Sequence, residues 1–169
     1  MREDVLYYSP AGILRIVCDG DAITTVEFDN GDTDPDEAEA AGRFEYGSAS
    51  PVIRQCVEEL DAYFEGTLRK FTVKIMPCGT DFWRLTWDEL TRIPYGTTIS
   101  YRQLAARIGS PKAVRAVGGA NHNNPIVILI PCHRVIGSDG TLVGYAGGLE
   151  KKKFLLDHEE LHSEREWED

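Results

Sequence analysis

Five consecutive apolar residues, Ile126-Val127-Ile128-Leu129-Ile130, run without a break into Pro131-Cys132-His133-Arg134-Val135. An uninterrupted apolar run of this length is buried on all sides rather than half-solvated. Any fold of this chain must take that run into its interior and deliver a cysteine, a histidine and an arginine at its end. A lone cysteine in such a place is most often a small core residue. The neighbours argue against that reading here. Pro131 fixes the backbone and supplies no N–H, and two basic side chains do not suit a plain core.

The rest of the chain reads as two units around this run. Its 169 residues suffice for one substantial core or two small ones, with an ordinary balance of 42% apolar and 27% charged residues. No run of about 18 apolar residues occurs, so no membrane span is expected. No signal peptide is read at the N-terminus, and the expected location is the cytoplasm. Residues 3–28 alternate, with Ser9-Pro10-Ala11-Gly12 and Asp19-Gly20-Asp21 as turns, and predict two or three antiparallel strands. Residues 29–49, acidic and rich in Ala, Gly and Asp, read as a loop. Ser50-Pro51 opens a helix through about Phe64, and Phe71–Met76 is a further strand candidate. Asp81 is read as the cap of a helix carrying Trp83, Trp87 and Leu90. Ser100 caps a short helix to Ile108, Gly109-Ser110 turns, and Pro111 starts a second short helix to about Ala120. Two short helices across a glycine turn fit a helix-turn-helix and an ordinary helical hairpin equally well. Five glycines between 137 and 148 mark a turn-rich loop. A last helix carries Phe154, Leu155 and Leu156 and ends near Glu159, with Lys151–Lys153 as its solvated start. The boundaries expected are an α/β domain at 1–76, a second domain at 77–159 and an acidic tail at 160–169.

The formal net charge of −10 is uneven. Residues 1–80 carry 7 basic and 16 acidic side chains, residues 81–159 carry 10 and 7, and residues 160–169 carry 1 and 5. Only the middle segment is fit to face phosphates, so any affinity for DNA is expected to be weak and sensitive to salt. Cys18, Cys56, Cys78 and Cys132 form no C-x-x-C pair or zinc-finger spacing, and the four histidines all lie beyond residue 121. No structural metal is expected.

Thiolate formation at Cys132 needs a base or a positive environment. In an extended chain the side chains of Cys132 and His133 diverge, so a proton passes between them more plausibly through a water than directly. A histidine in that role needs a carboxylate to orient it. Glu159 is a candidate, although by itself it reads first as a solvated helix-end residue. A cysteine phosphatase loop needs arginine six positions on, where Ser138 stands. Cysteine hydrolysis stays open.

Ile130-Pro131-Cys132-His133-Arg134-Val135, with Arg115-Ala116-Val117-Gly118-Gly119-Ala120 and Asn124-Pro125 before it, resembles the O6-alkylguanine-DNA alkyltransferases, the methylated-DNA–protein-cysteine methyltransferase family. Pro94-Tyr95-Gly96, Ser100-Tyr101, Gly144-Tyr145-Ala146-Gly147-Gly148 and His158-Glu159 extend the likeness, in order, over about residues 80–160. The resemblance implies an α/β, ribonuclease-H-like N-terminal domain and a mainly α C-terminal domain with a winged-helix-like helix-turn-helix. It implies irreversible, once-only transfer of an alkyl group from O6-alkylguanine in DNA to Cys132, with O4-alkylthymine as a second substrate. His133 would deprotonate Cys132 through a water, Glu159 would hold His133, and Asn124 would order the turn beneath them. Tyr101 would press on the phosphate beside the lesion and protonate the departing base, which must leave the stack to react. Arg115 would fill the space left, and Gly118 and Gly119 would let their helix approach the minor groove closely. Arg102, Ser110 and Ser138 would contact the backbone. Asn121, Val135, Tyr145, Ala146 and Gly147 would wall the base pocket. The partner implied is double-stranded DNA, the protein a monomer, and no cofactor is required.

Three other readings compete. A protein that only flags alkyl lesions would lack the acceptor, and Cys132 is present. A promoter-binding regulator would carry a further domain. A cysteine hydrolase would turn over esters or peptides.

Overall fold

The structure, a computed structural model, describes residues 2–29, 49–145 and 147–163. The chain divides into two compact units, Met1–Cys78 with Pro125–Val127, and Gly79–Asn124 with Ile128–Asp169.

In the first unit the predicted alternation folds as an antiparallel meander of β1 (Arg2–Ser9), β2 (Gly12–Asp19) and β3 (Ala22–Phe28), in that order across the sheet. The first link is held by Ser9, whose hydroxyl donates to Gly12 O and accepts from Ala11 N. The second has only Gly20 and Asp21 between the paired Asp19 and Ala22. Gly20 there takes φ +63°, which a residue with a side chain rarely adopts. One face of the sheet presents Val5, Tyr7, Leu14, Ile16, Ile23 and Val26 to the interior. Helix α1 (Pro51–Glu65) buries Val52, Ile53, Cys56, Val57, Leu60 and Tyr63. Burying each large apolar side chain stabilises the unit by roughly 1.5–3 kcal/mol. Proline at its first position starts α1, and Gly66, at φ 83°, ends it.

The strand expected over Phe71–Met76 is reduced to one parallel bridge, Ile75 to Ile23. Its other donors have a different acceptor: the Glu59 carboxylate on α1 takes the amides of Thr72 and Val73. A second bridge joins Val26 to Ile126, so the chain returns to this unit briefly just before the cysteine. The loop predicted for 29–49 lies almost wholly outside the described residues.

In the second unit α2 (Asp81–Leu90) is capped by Thr80, whose side chain accepts from Trp83 N at 3.1 Å. The expectation of Asp81 as cap is corrected: Asp81 occupies the first helical position, and its carboxylate pairs with Arg84 instead. Trp87 and Leu90 are buried, and the Trp87 indole donates to Ala120 O at 2.8 Å. A two-residue parallel pair joins β4 (Ile99–Ser100) to β5 (Val135–Ile136). Helix α3 (Tyr101–Arg107) opens with a full capping box between Ser100 and Gln103. Gly109, at φ +79°, turns the chain. Helix α4 (Val114–His122) begins later than Pro111, because Ser110 O first accepts Ala113 N in a separate turn. The run 126–130 is buried throughout, as its composition requires, and it is not a strand. Ile128 bends it with φ 73°, a strained value for a β-branched side chain. Helix α5 (Leu149–Ser163) continues past the predicted end near Glu159, which lies inside it. No described helix is long and apolar enough to cross a membrane.

Candidate active site

Cys132 is placed by two successive tight turns. Pro131, at φ −81° and ψ 63°, is the centre of an inverse γ-turn closed by Cys132 N donating to Ile130 O at 2.8 Å. Asn124 donates its side-chain amide to the same carbonyl at 2.8 Å. Cys132–Arg134 then wind into a single 3-10 turn instead of the extended chain expected. Residues one apart in such a turn still point in different directions. Cys132 is 3% exposed. Burial pushes its thiol up to about 11, against the Asn124 amide and the Lys152 charge, which pull it down.

His133 and Glu159 are fully buried and meet at 2.6 Å between Nε2 and Oε2. Arg134 donates to both oxygens of the same carboxylate, Nε at 2.8 Å and Nη2 at 3.0 Å. Its Nη1 donates to Ile93 O at 2.7 Å. Gly96 N adds a backbone donor to Glu159 at 3.1 Å. Gly96 sits at φ +76°, and a Cβ there would come within 2.7 Å of Ser163. Burial lowers the basicity of His133, and the charges of Arg134 and Lys152 add to this against the pull of Glu159. The ring is therefore neutral at ordinary pH. Burial alone would protonate Glu159, but its contacts with His133 and Arg134 hold it well below the usual carboxylate range. With the imidazole neutral, Arg134 is the charge that keeps it ionised. A carboxylate only accepts, so the ring proton lies on Nε2. Nδ1 is left as a bare acceptor with no partner.

Lys152 was expected in solvent and is instead completely buried. Its Nζ donates to Val135 O at 2.6 Å and Val143 O at 3.0 Å, and burial lowers its pKa to about 8. The Tyr101 hydroxyl donates to the same Val143 carbonyl at 3.1 Å, with Lys152 Nζ lying 5.9 Å from the Tyr101 ring centre. Burial raises the pKa of Tyr101, partly offset by the amide of Asn121. Asn121 is buried and donates to Cys132 O at 3.3 Å.

Of the residues singled out in the sequence, Cys132, His133, Glu159, Asn124, Asn121 and Tyr101 are thus linked by direct contacts or through one shared group. Val135 and Tyr145 are buried, Gly147 is half-buried, and Ala146 lies outside the described residues. Arg102, Arg115, Gly119 and Ser138 are exposed, with Ser110 and Gly118 half-buried. A groove of about 420 Å³, lined by Gly96, Leu156, Asp157 and Glu159 among others, shares only Glu159 with this set. Among the described residues no three potential ligands converge on a metal site.

A family model described as the DNA binding domain of 6-O-methylguanine DNA methyltransferase matches residues 81–161, and one for its ribonuclease-like domain matches residues 5–77. The chain belongs to the 6-O-methylguanine DNA methyltransferase family. It has that family's two-domain architecture, ribonuclease-like followed by DNA-binding. The methylated-DNA–protein-cysteine methyltransferase of Methanosarcina acetivorans is 42% identical over 151 residues, 89% of this chain and 94% of its own. That of Methanosarcina barkeri is 56% identical over 108 residues, 64% of this chain and 68% of its own. Among solved structures, the O6-methylguanine methyltransferase of Mycobacterium tuberculosis superposes with a TM-score of 0.81 at 39% identity, covering 96% of this chain and 94% of that one. The same organism's OGT in complex with DNA gives 0.81 at 38% identity, over 94% and 93%.

In this member of the methyltransferase family, sequence reasoning missed Lys152, Arg134 and Gly96 as parts of the site. For Lys152 a signal exists. Lys152, Leu155, Glu159 and His162 recur at helical spacing and are the buried residues of α5. The phase set by Leu155 therefore outranks the polarity of three lysines in a row.

Proposed function

We propose that this chain repairs O6-alkylguanine in DNA by moving the alkyl group onto Cys132, once per molecule. The observation that carries the reading is the closed set of contacts around Cys132, held within a domain of the methylguanine methyltransferase family. The Cys132 proton leaves through a water to His133 Nδ1, the imidazole nitrogen with no other partner. Glu159, kept ionised by Arg134, stabilises the imidazolium that forms. The thiolate attacks the alkyl carbon, the S–C bond forms as the C–O6 bond breaks, and the guanine leaves with the bonding pair. Tyr101 supplies a proton to the departing base at N3. The Lys152 charge beside Cys132 favours the thiolate over the thiol. Because a thioether forms, no step regenerates the sulfur.

The base has to leave the duplex to reach so buried a sulfur. Arg102 and Arg115, exposed on α3 and α4 and unpaired with any acid among the described residues, are fit to meet phosphate and the vacated stack. At Gly119 an added Cβ would meet nothing of the protein within 4 Å. The missing side chain there therefore leaves room for a partner rather than for internal packing. This favours α4, as part of a winged-helix-like unit, entering the minor groove of the DNA, with Gly118, Ser110 and Ser138 against its backbone. Val135, Tyr145 and Gly147 wall the base pocket. The protein works as a monomer in the cytoplasm, with the chemistry confined to residues 77–159.

The test is intact-protein mass after mixing with a duplex holding one O6-methylguanine, beside Cys132→Ser. A gain of one methylene, mapped to Cys132 and absent from the variant, is expected. No gain with preferential binding of the lesion duplex would make this a damage flag instead.

A further inference from the structure

Asn121, like His133, carries a buried polar atom that the rest of the protein leaves unmatched. It lies in the last turn of α4 and is 3% exposed. Its Nδ2 donates to the Cys132 carbonyl at 3.3 Å, which fixes the amide's orientation because a carbonyl only accepts. The opposite atom, Oδ1, is buried with no hydrogen-bond partner. A buried acceptor left in this state costs free energy that a donor arriving with a substrate would return. The amide lies against Tyr101 as well as Cys132, the two residues proposed to meet the reacting base.

The donors of the alkylated bases are few. Alkylation at O6 removes N1–H from guanine and leaves the exocyclic 2-amino group as the base's only N–H donor. Alkylation at O4 removes N3–H from thymine and leaves none. We infer that Asn121 Oδ1 accepts a hydrogen bond from the 2-amino group of the extruded purine, making Asn121 the residue that favours O6-alkylguanine over O4-alkylthymine. The inference rests on the function proposed above and deepens it. A site with a buried group that one substrate satisfies and its competitor cannot discriminates far better than a shape-matched apolar wall.

The experiment compares single-turnover transfer rates, with protein in excess, from duplexes carrying O6-methylguanine, O6-methylhypoxanthine (the same base without its 2-amino group) or O4-methylthymine. These are measured for the native chain and for Asn121→Leu, which is close in size. For the native chain, O6-methylguanine is expected to react roughly tenfold or more faster than O6-methylhypoxanthine, the scale of one buried hydrogen bond. In Asn121→Leu that ratio should fall about tenfold, with the ratio over O4-methylthymine falling in parallel. An unchanged guanine-to-hypoxanthine ratio in the variant overturns the inference, and so does a native ratio near one. Equal slowing on all three bases also overturns it, because a merely structural role would do that. If Asn121→Leu does not fold, Asn121→Ala and Asn121→Ser put the same ratio to the test. Failure of the native chain to transfer from any duplex is the distinct result that sinks the proposed function itself.

Discussion

The interiors of the two units are built from different materials. Among the described residues of the first, Ser9 is the one polar side chain that is buried. The second buries Thr86, Asn121, Asn124, His133, Arg134, Lys152, Glu159 and His162. Burying charge is expensive, and an ion pair seldom stabilises more than well-packed apolar residues of the same size. The second interior thus carries groups that stability alone does not require. Among them His133 and Arg134 meet on the Glu159 carboxylate, and Asn124 and Lys152 act on the Cys132 thiol. The comparison teaches where the chemistry is: the apolar interior serves folding, and the polar one holds reactive groups in fixed protonation states.

The largest effect that sharpens this contrast comes from a matched pair of carboxamide substitutions. Glu159→Gln leaves Arg134 buried without its counter-charge and should cost about 3–5 kcal/mol. Glu59→Gln, at a part-exposed carboxylate binding two amides in the first unit, should cost about 1 kcal/mol. Urea midpoints measure both, and equal losses would erase the distinction. The same pair differs in acid. The folded pKa of Glu159 lies below its ordinary 4.5. Its contribution is therefore complete above that pH and lost as the pH falls further, a loss that Glu159→Gln should not show.

Lys152→Met comes next. Removing the charge beside Cys132 raises the thiol pKa, and each unit raised lowers the thiolate fraction about tenfold. Methyl transfer at neutral pH should therefore slow by roughly that factor. The folded pKa of Lys152, about 8, lies below its ordinary 10.5. Between these values the unfolded chain binds more protons, so native stability gains from this group as the pH rises. Unfolding curves of Lys152→Met across that range should lack the gain, and identical pH profiles for the two proteins would remove Lys152 from the account.

The smallest effect is an order of reactivity. Exposed Cys78 should be alkylated first by iodoacetamide. As the pH is raised Cys132 should follow, before Cys56, which burial pushes up to about 12 where Cys132 stands at about 11. Peptide mapping reads the order, and Cys56 reacting ahead of Cys132 would count against the polar interior lowering the thiol pKa.

Much of the fold was legible because local chemistry and packing agree. Pro51 and Gly66 bracket α1, Ser100 with Gln103 starts α3, and the hairpin turns fall where their residues demand. The failures arise where neighbours compete. Thr80 and Asp81 both suit a cap, and only the backbone decides between them. Phe71–Met76 has the composition of a strand, but Glu59 takes two of its amides from across the unit. At the site, Cys132 stood out from its neighbours alone, whereas the sequence by itself left Glu159 a solvated residue. Its four donors come from residues distant along the chain, so no local pattern announces them. Lys152 was hidden by the two lysines beside it, although its phase on α5 was readable.

Trp87 gives the second unit a light of its own. Its indole is enclosed and tied to the carbonyl of Ala120, the residue before Asn121, with Trp83 5.8 Å away. The described part of the first unit has tyrosines and no tryptophan. Emission from this ring therefore reports on the end of α4 without any added dye. Its wavelength and intensity follow the seating of that helix turn as a base arrives or the sulfur is capped.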